Sequence, residues 1–214
     1  MKNSLKIFLA VAVSLIWFGA DIRAGNQDKI LAEIENKLNS IKTLQVDFVQ
    51  EVNSGVFATI DRTEGKIFLQ EGDKFRIESD EQTIVSDSVV IWIYSAENKQ
   101  VKIDSVYKID DLVRPSEYLF TFKDGYNVTL LDDNQCDFGN CFKVLLKAEN
   151  DDSFIKEMTL LIDPETYLTH RAEYKDINGN LVTVTFDKYK IDKKIPPEVF
   201  EFKTPKGVEE VRLP

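Results

Sequence analysis

The side chains best able to do chemistry in this 214-residue sequence are two cysteines, one histidine and a few adjacent carboxylates. Cys136 and Cys141 lie in "QCDFGNCF", flanking four residues that include Gly139 and Asn140. In an exported protein that spacing fits a disulfide across a hairpin. A metal is a second reading. His170 is the sole imidazole, however, so a tetrahedral site would need carboxylates to complete it. Two free thiols are the third. A bridge over so short a loop removes little chain entropy, so its effect would be local.

His170 follows Thr169 in a strand-like run, which suits a surface or half-buried polar role. Asp132-Asp133, Asp151-Asp152 and Glu209-Glu210 fall in loops or near the end of the chain. Such pairs are usually solvated, and a catalytic dyad needs burial to split its pKa values. The sequence contains no G-x-S-x-G, no P-loop, no H-E-x-x-H and no G-x-G-x-x-G. Asn127-Val128-Thr129 is a chance sequon match if the chain is bacterial. An enzyme built on this sequence would have to work through scattered carboxylates, and no catalytic residue, cofactor or metal is expected.

The elements that must position these groups are mostly strands. One amphipathic helix is predicted from about Asp28 to Ser40, with Ile30, Leu31, Ile34, Leu38 and Ile41 on one face. After Ile41 the period changes from 3.6 to 2. "LQVDFVQEV", "GKIFLQ", "KFRIES", "QTIVSD", "VVIWIYS" and "KQVKIDSV" follow one another at short spacing. "YNVTLL", "CFKVLLKA", "IKEMTLLID", "YLTHRAEYKDI" and "LVTVTFDKYKI" complete about 11 strands. Glu71-Gly72-Asp73, Asp163-Pro164 and Asn178-Gly179-Asn180 supply turn chemistry between them. So long an antiparallel sheet must close, stack or be covered, and one helix cannot cover a whole face. The fold class predicted is mainly β: an incomplete, half-open antiparallel barrel with a concave apolar face. "DDLVRPSEYLFTFKDG", residues 110–125, breaks the rhythm with Pro115 and the cluster Tyr118, Leu119, Phe120. It reads either as a strand with a ragged entry or as a short lid helix over the hydrophobic cavity.

The N-terminus reads as a targeting segment. Lys2 and Lys6 precede an apolar run of about 14 residues, short of the roughly 20 that span a bilayer, and small residues follow. Cleavage after Ala24 is expected, leaving residues 25–214 as one domain. The competing reading is a membrane anchor. No Cys ends the apolar run, so no lipid anchor is expected, and localisation would be soluble and periplasmic. Removing residues 1–24 takes away Lys2, Lys6, Arg23 and Asp21, turning a formal charge of −10 into −12. An acidic surface is repelled by nucleic acid and by anionic lipid, so neither is an expected partner.

Four segments, in order, resemble one family. "VDFVQEV" carries Phe48-x-Gln50-x-Val52; "GKIFLQEGDKFRIE" is a Gly-led strand, a turn and a Phe-containing strand. "IVSDSVVIWIYS" resembles I-x-S-D-G-x-x-L-W-x-Y, and "FEFKTPKGVEEV" a closing F-x-F-x-x-P-x-G-V. With the leader and the first helix, these resemble the LolA family of periplasmic lipoprotein carriers over essentially the whole mature chain. The resemblance implies a half-barrel with a helical lid over an apolar cavity. It also implies a monomer that takes acylated lipoproteins from an inner-membrane Lol ABC transporter and passes them to the outer-membrane acceptor LolB. The physics suits that work. Exposing a chain of about fourteen methylenes to water costs on the order of 11 kcal/mol, so a lipid anchor needs an apolar carrier.

By position, the resemblance puts Phe75 and Ile77 at the cavity. Strand alternation puts Ile67 and Leu69 on one face, and a register slip would exchange it for Phe68. Val85 and Trp92 are further expected lining residues; Tyr118, Leu119 and Phe120 are expected in the lid. An ordinary core contact is the alternative for each, so Phe75→Glu is expected to abolish cargo acceptance while sparing the fold. The family's Arg-Pro at the turn before the Phe strand is Glu71-Gly72 here, so a latch would need Arg114 or Arg62 to reach Glu71. Ser88 also replaces the Gly of S-D-G. A carrier of another lipid or glycolipid on the same half-barrel is the alternative function, and a lipid-acting enzyme the third.

Overall fold

This computed structural model of the chain describes residues 19–55, 58–106, 125–150 and 153–212. Helix α1 spans Gly19–Asn39, starting earlier than the apolar periodicity alone predicts. Ile34, Leu38 and Ile41 are buried, and Ile30 and Leu31 pack against the same core. The helix ends as Ser40 donates its amide to the Asn36 carbonyl and its hydroxyl to that of Lys37. No helix among the described residues is long and apolar enough to cross a membrane.

The strands follow as β1 (Thr43–Ser54), β2 (Thr59–Gln70), β3 (Lys74–Ser79), β4 (Gln82–Asp87), β5 (Val90–Ser95) and β6 (Gln100–Ser105). Then come β7 (Tyr126–Leu130), β8 (Gln135–Cys136), β9 (Gly139–Asn140), β10 (Phe142–Ala148), β11 (Glu157–Ile162), β12 (Thr169–Lys175), β13 (Leu181–Ile191) and β14 (Glu209–Arg212). Twelve of them form one sheet in the order β14-β6-β5-β4-β3-β2-β1-β13-β12-β11-β10-β7, and β8 and β9 form a separate hairpin. All the pairings are antiparallel except β14 with β6, which is parallel. The sheet therefore holds the 11 predicted strands plus β14, a short polar strand with no alternating signal of its own.

Among the described residues the sheet is open, with β14 and β7 as its two edges. It is also strongly curled. Ile84 on β4 and Met158 on β11 are six strand steps apart, roughly 29 Å in a flat sheet, yet they line one cavity. Bulges supply part of the bend. The β1–β13 register slips between Gln45 and Asp47, where Lys188 takes φ 56°, and the β11–β12 register slips at His170. The Tyr189 hydroxyl donates to the Thr169 carbonyl, tying the two irregular stretches together.

Even-numbered residues of β1 (Leu44, Val46, Phe48) point to the concave face, where most of the buried core collects. Helix α1 crosses one end of that face. Gln27 donates to Asp132 (3.1 Å) beyond β7, and the Tyr167 hydroxyl donates to Glu33 (2.6 Å). The convex face is covered over β3 and β4 by a 3-10 helix, Pro197–Phe200, whose Phe200 is buried.

Candidate functional site

The concave face holds a cavity away from the C-terminal end of α1. Ile67, Ile77 and Ile84 form one row, because Ile67 pairs with Ile77 and Ile77 with Ile84 across three neighbouring strands. Phe48 and Val184 add the central strands. Met158, Ala172, Tyr174 and the loop residue Phe154 form the facing wall, and together these residues enclose about 430 Å³. Gln50, Thr63, Ser79, Glu81 and Gln82 ring its mouth. The Thr63 hydroxyl donates to the Glu81 carboxylate at 3.0 Å, fixing that side chain at the opening. Burial, aided by the nearby Asp176 carboxylate, pushes the Tyr174 phenol up to about 12. Its hydroxyl therefore keeps its proton near neutral pH and remains a donor.

Gly65 explains the glycine that leads β2's apolar half. It faces Phe48 across the β1–β2 pair, and the Phe48 ring lies over it. Phe154 is held in place from behind, where the Tyr126 hydroxyl donates to the adjacent Ile155 carbonyl at 3.4 Å.

Of the residues singled out from sequence, Ile67 and Ile77 line this cavity. Leu69 and Phe75 share their face but lie deeper. Both are 1% exposed, and both border the small space at the end of α1 next to Leu38 and Ile41. Phe75 is therefore a core side chain, and its expected tolerance to Glu does not fit its burial. Val85 and Trp92 fall on the opposite face. Phe68, Arg76, Val85 and Trp92 pair in series across β2 to β5, so all four point to the convex side. There Trp92 stacks on Phe202 at 6.5 Å, and Arg76 donates to the Val199 carbonyl. The physical reason is register: Ile84, one residue before Val85, is the partner of Ile77.

Tyr118, Leu119, Phe120 and Arg114 lie outside the described residues. Glu71 is exposed at the β2–β3 turn, where its amide donates to the Lys42 carbonyl. Arg62 does not reach it. Arg62 sits nine residues up β2, about 30 Å away in an extended strand, and pairs with Glu51 (3.0 Å) and Glu64 (2.8 Å). Phe48, Ile84, Phe154, Met158, Ala172, Tyr174 and Val184 were not singled out. Alternation carried a signal for Phe48 in "LQVDFVQEV" and for Val184 in "LVTVTFDKYKI".

Cys136 and Cys141 are joined as a disulfide, with Cα atoms 6.0 Å apart. The β8–β9 hairpin they close turns at Asp137-Phe138, since Cys136 pairs with Gly139. It packs on the convex side of β12. Phe138 meets His170 with ring centroids 4.1 Å apart, and Arg171 pairs with Asp137 at 3.0 Å. His170 thus packs against an aromatic ring. Glu209 and Glu210 are exposed on β14, Asp132 and Asp133 are exposed beyond β7, and residues 151–152 lie outside the described set. Among the described residues, no group of three or more His, Cys, Asp or Glu side chains is placed to hold a metal ion. A larger groove of about 530 Å³ on the outer face contains the Lys66–Asp47 and Lys188–Asp47 ion pairs, a lining too charged for an apolar ligand.

Residues 39–203 match the family described as outer membrane lipoprotein carrier protein LolA. The chain is similar to the outer-membrane lipoprotein carrier protein of Legionella pneumophila (strain Corby), at 27% identity over 97% of this chain and 98% of the relative. It is 24% identical to the protein of the same name from Aeromonas salmonicida (strain A449), over 98% of each. Among solved structures, an uncharacterized conserved protein from Thermus thermophilus shares the fold, with TM-score 0.57 at 15% identity over 87% of this chain and 98% of the other.

Proposed function

This chain belongs to the LolA family of outer membrane lipoprotein carrier proteins, and we propose that it is itself a lipoprotein carrier that seats acyl chains on its concave face. The observation that carries the reading is the open cavity of about 430 Å³ walled by Phe48, Ile67, Ile77, Ile84, Met158 and Val184. An apolar wall of this kind stabilises a buried acyl chain by about 0.8 kcal/mol per methylene. A methylene is close in size to a water, whose share of liquid volume is about 30 Å³. The cavity therefore seats roughly one chain of fourteen carbons, and a three-chain anchor needs the two halves of the curled sheet to part further.

The carrier acts by burial and release, with no covalent step. In this reading the leader is cleaved after Ala24, inside α1, and the mature chain works in the periplasm. It collects acylated lipoproteins released from the inner membrane by a Lol ABC transporter and delivers them to an outer-membrane acceptor of the LolB kind. The direct test is to purify the protein from its native cells under non-denaturing conditions and identify bound species by mass spectrometry. Acylated polypeptide is the expected finding. Free lipid or glycolipid with no polypeptide would replace the lipoprotein reading by that of another lipid carrier.

A further inference from the structure

The cavity's walls are apolar, but its mouth has a defined electrostatic character. Among the described residues that line it, Glu81 is the one charged residue and none is Lys, Arg or His. The carboxylate is held there by a turn and a strand: Glu81 sits in the β3–β4 turn, and Thr63 on β2 donates to it at 3.0 Å. Asp80 adjoins it in the same turn, and Asp176 follows β12 beside Tyr174. Arg62, next to Thr63, points to the other face and is committed to Glu51 and Glu64. Two of the uncharged donors that line the cavity stand apart from the rest. Gln50 and Tyr174 are half-buried, and neither side chain makes a hydrogen bond to another described residue.

We propose that this mouth selects acyl ligands with an uncharged, carbonyl-bearing head and turns away anionic headgroups such as phosphate. The proposal rests on the acyl-binding reading above and specifies which lipids that site accepts. A phosphate entering behind its acyl chain gives up water, meets no cation among the described residues and faces the Glu81 carboxylate. An unpaired, partly desolvated anion beside a like charge is strongly disfavoured. An ester or amide carbonyl brings only acceptors, which the Gln50 amide and the Tyr174 phenol can satisfy. Near a membrane containing anionic lipids, such a mouth admits an acylated polypeptide and leaves those lipids behind.

The test uses the full chain and two probes with the same palmitoyl chain, monoacylglycerol and lysophosphatidic acid, each displacing an environment-sensitive apolar dye. Monoacylglycerol is expected to bind at least about ten-fold more tightly. Glu81→Lys, at an exposed position that leaves folding intact, is expected to bring the two affinities within about three-fold or to invert them. Tyr174→Phe is expected to weaken both probes about three- to ten-fold, the worth of one hydrogen bond to the ester carbonyl they share, and to leave the ratio of their affinities within about two-fold. Equal wild-type affinities, or a ratio that Glu81→Lys does not move, overturn the selectivity while acyl binding stands. If neither probe displaces the dye, the acyl-binding reading falls and the selectivity falls with it. Unchanged monoacylglycerol affinity in Tyr174→Phe removes the phenol's role as a carbonyl donor.

Discussion

The Phe48 ring occupies the space that a side chain at Gly65 would need: a Cβ there would lie 2.6 Å from Phe48 Cε1 and 2.1 Å from the Glu78 carbonyl oxygen. The second clash is with backbone, which cannot swing away. Gly65→Ala is therefore expected to lower stability by about 1–3 kcal/mol, as overpacking does, measured by urea unfolding. Because Phe48 also walls the cavity, the variant should bind apolar dye more weakly even at temperatures where it is folded. Wild-type stability and dye binding in Gly65→Ala would show that the strands accommodate the methyl.

Ser88 sits at φ 85°, in the left-handed region that costs a residue with a Cβ about 1–2 kcal/mol. Its amide donates to the Ser86 hydroxyl, and Asp87 accepts the amides of Val89 and Val90, so the β4–β5 turn is held in that conformation. Ser88→Gly is expected to stabilise the protein by about 1 kcal/mol, raising Tm by about 2–4 °C. A lower Tm would mean that the Ser88 side chain contributes more than its backbone strain removes.

Phe75 and Ile77 alternate on one face of β3 but should answer differently to the same change. Phe75 is 1% exposed beneath the end of α1, so Phe75→Glu buries an unpaired carboxylate and is expected to cost more than about 4 kcal/mol. Ile77 is half-buried at the open cavity. Ile77→Glu should fold, as circular dichroism would show, and should lose most of its acyl binding. A folded Phe75→Glu that no longer binds, beside an Ile77→Glu that still does, would reverse the two roles.

The Arg171 guanidinium donates to Asp137 and holds its carboxyl below the usual carboxylate range. A depressed folded-state pKa contributes stability that is fully present above the unfolded value, about 3.9, and is lost as pH falls through the folded value. The stability gap between wild type and Asp137→Asn should therefore be constant near neutral pH and shrink as pH falls below about 4. Urea midpoints across pH 2–7 test this, and a gap that widens with acid would contradict it. Replacing Cys136 and Cys141 by Ser should loosen the same hairpin, at a cost of about 2 kcal/mol for so short a loop. Acyl binding should be unchanged, because the hairpin lies on the convex face.

Much of this architecture is readable from residue order. The apolar face of α1 and the run of short strands follow from the change of period after Ile41, and alternation places Ile67 and Ile77 on one side. The reading fails where a face must be carried across a turn. Ser79 and Gln82 flank a two-residue connection that sets Ile77 opposite Ile84. The expectation that Val85 on β4 and Trp92 on β5 line the cavity is one residue out of phase, and in a strand one residue is a whole face. The far wall escaped for a different reason. Met158, Ala172 and Val184 come near Ile84 only because the sheet curls, and no residue type announces a bulge at Lys188 or His170. A parallel pairing for β14 was equally invisible, since Glu209–Arg212 is polar and four residues long.

The position of β1 in the sheet bears on how the molecule is made. One neighbour, β2, follows it through a tight hairpin, while the other, β13, brings Ile191 opposite Leu44. The central seam therefore joins the first strand of the chain to nearly the last. Contacts this distant in sequence slow folding, because the intervening loop must close before they form. Strands β2 to β6 can zip as local hairpins, but the apolar row Ile67, Ile77 and Ile84 stays without its facing wall until β13 docks. During that interval the incomplete sheet shows an unpaired β1 edge beside bare apolar surface, the combination most prone to self-association. A holding chaperone should therefore matter more for this protein than for one of equal size built from neighbouring helices.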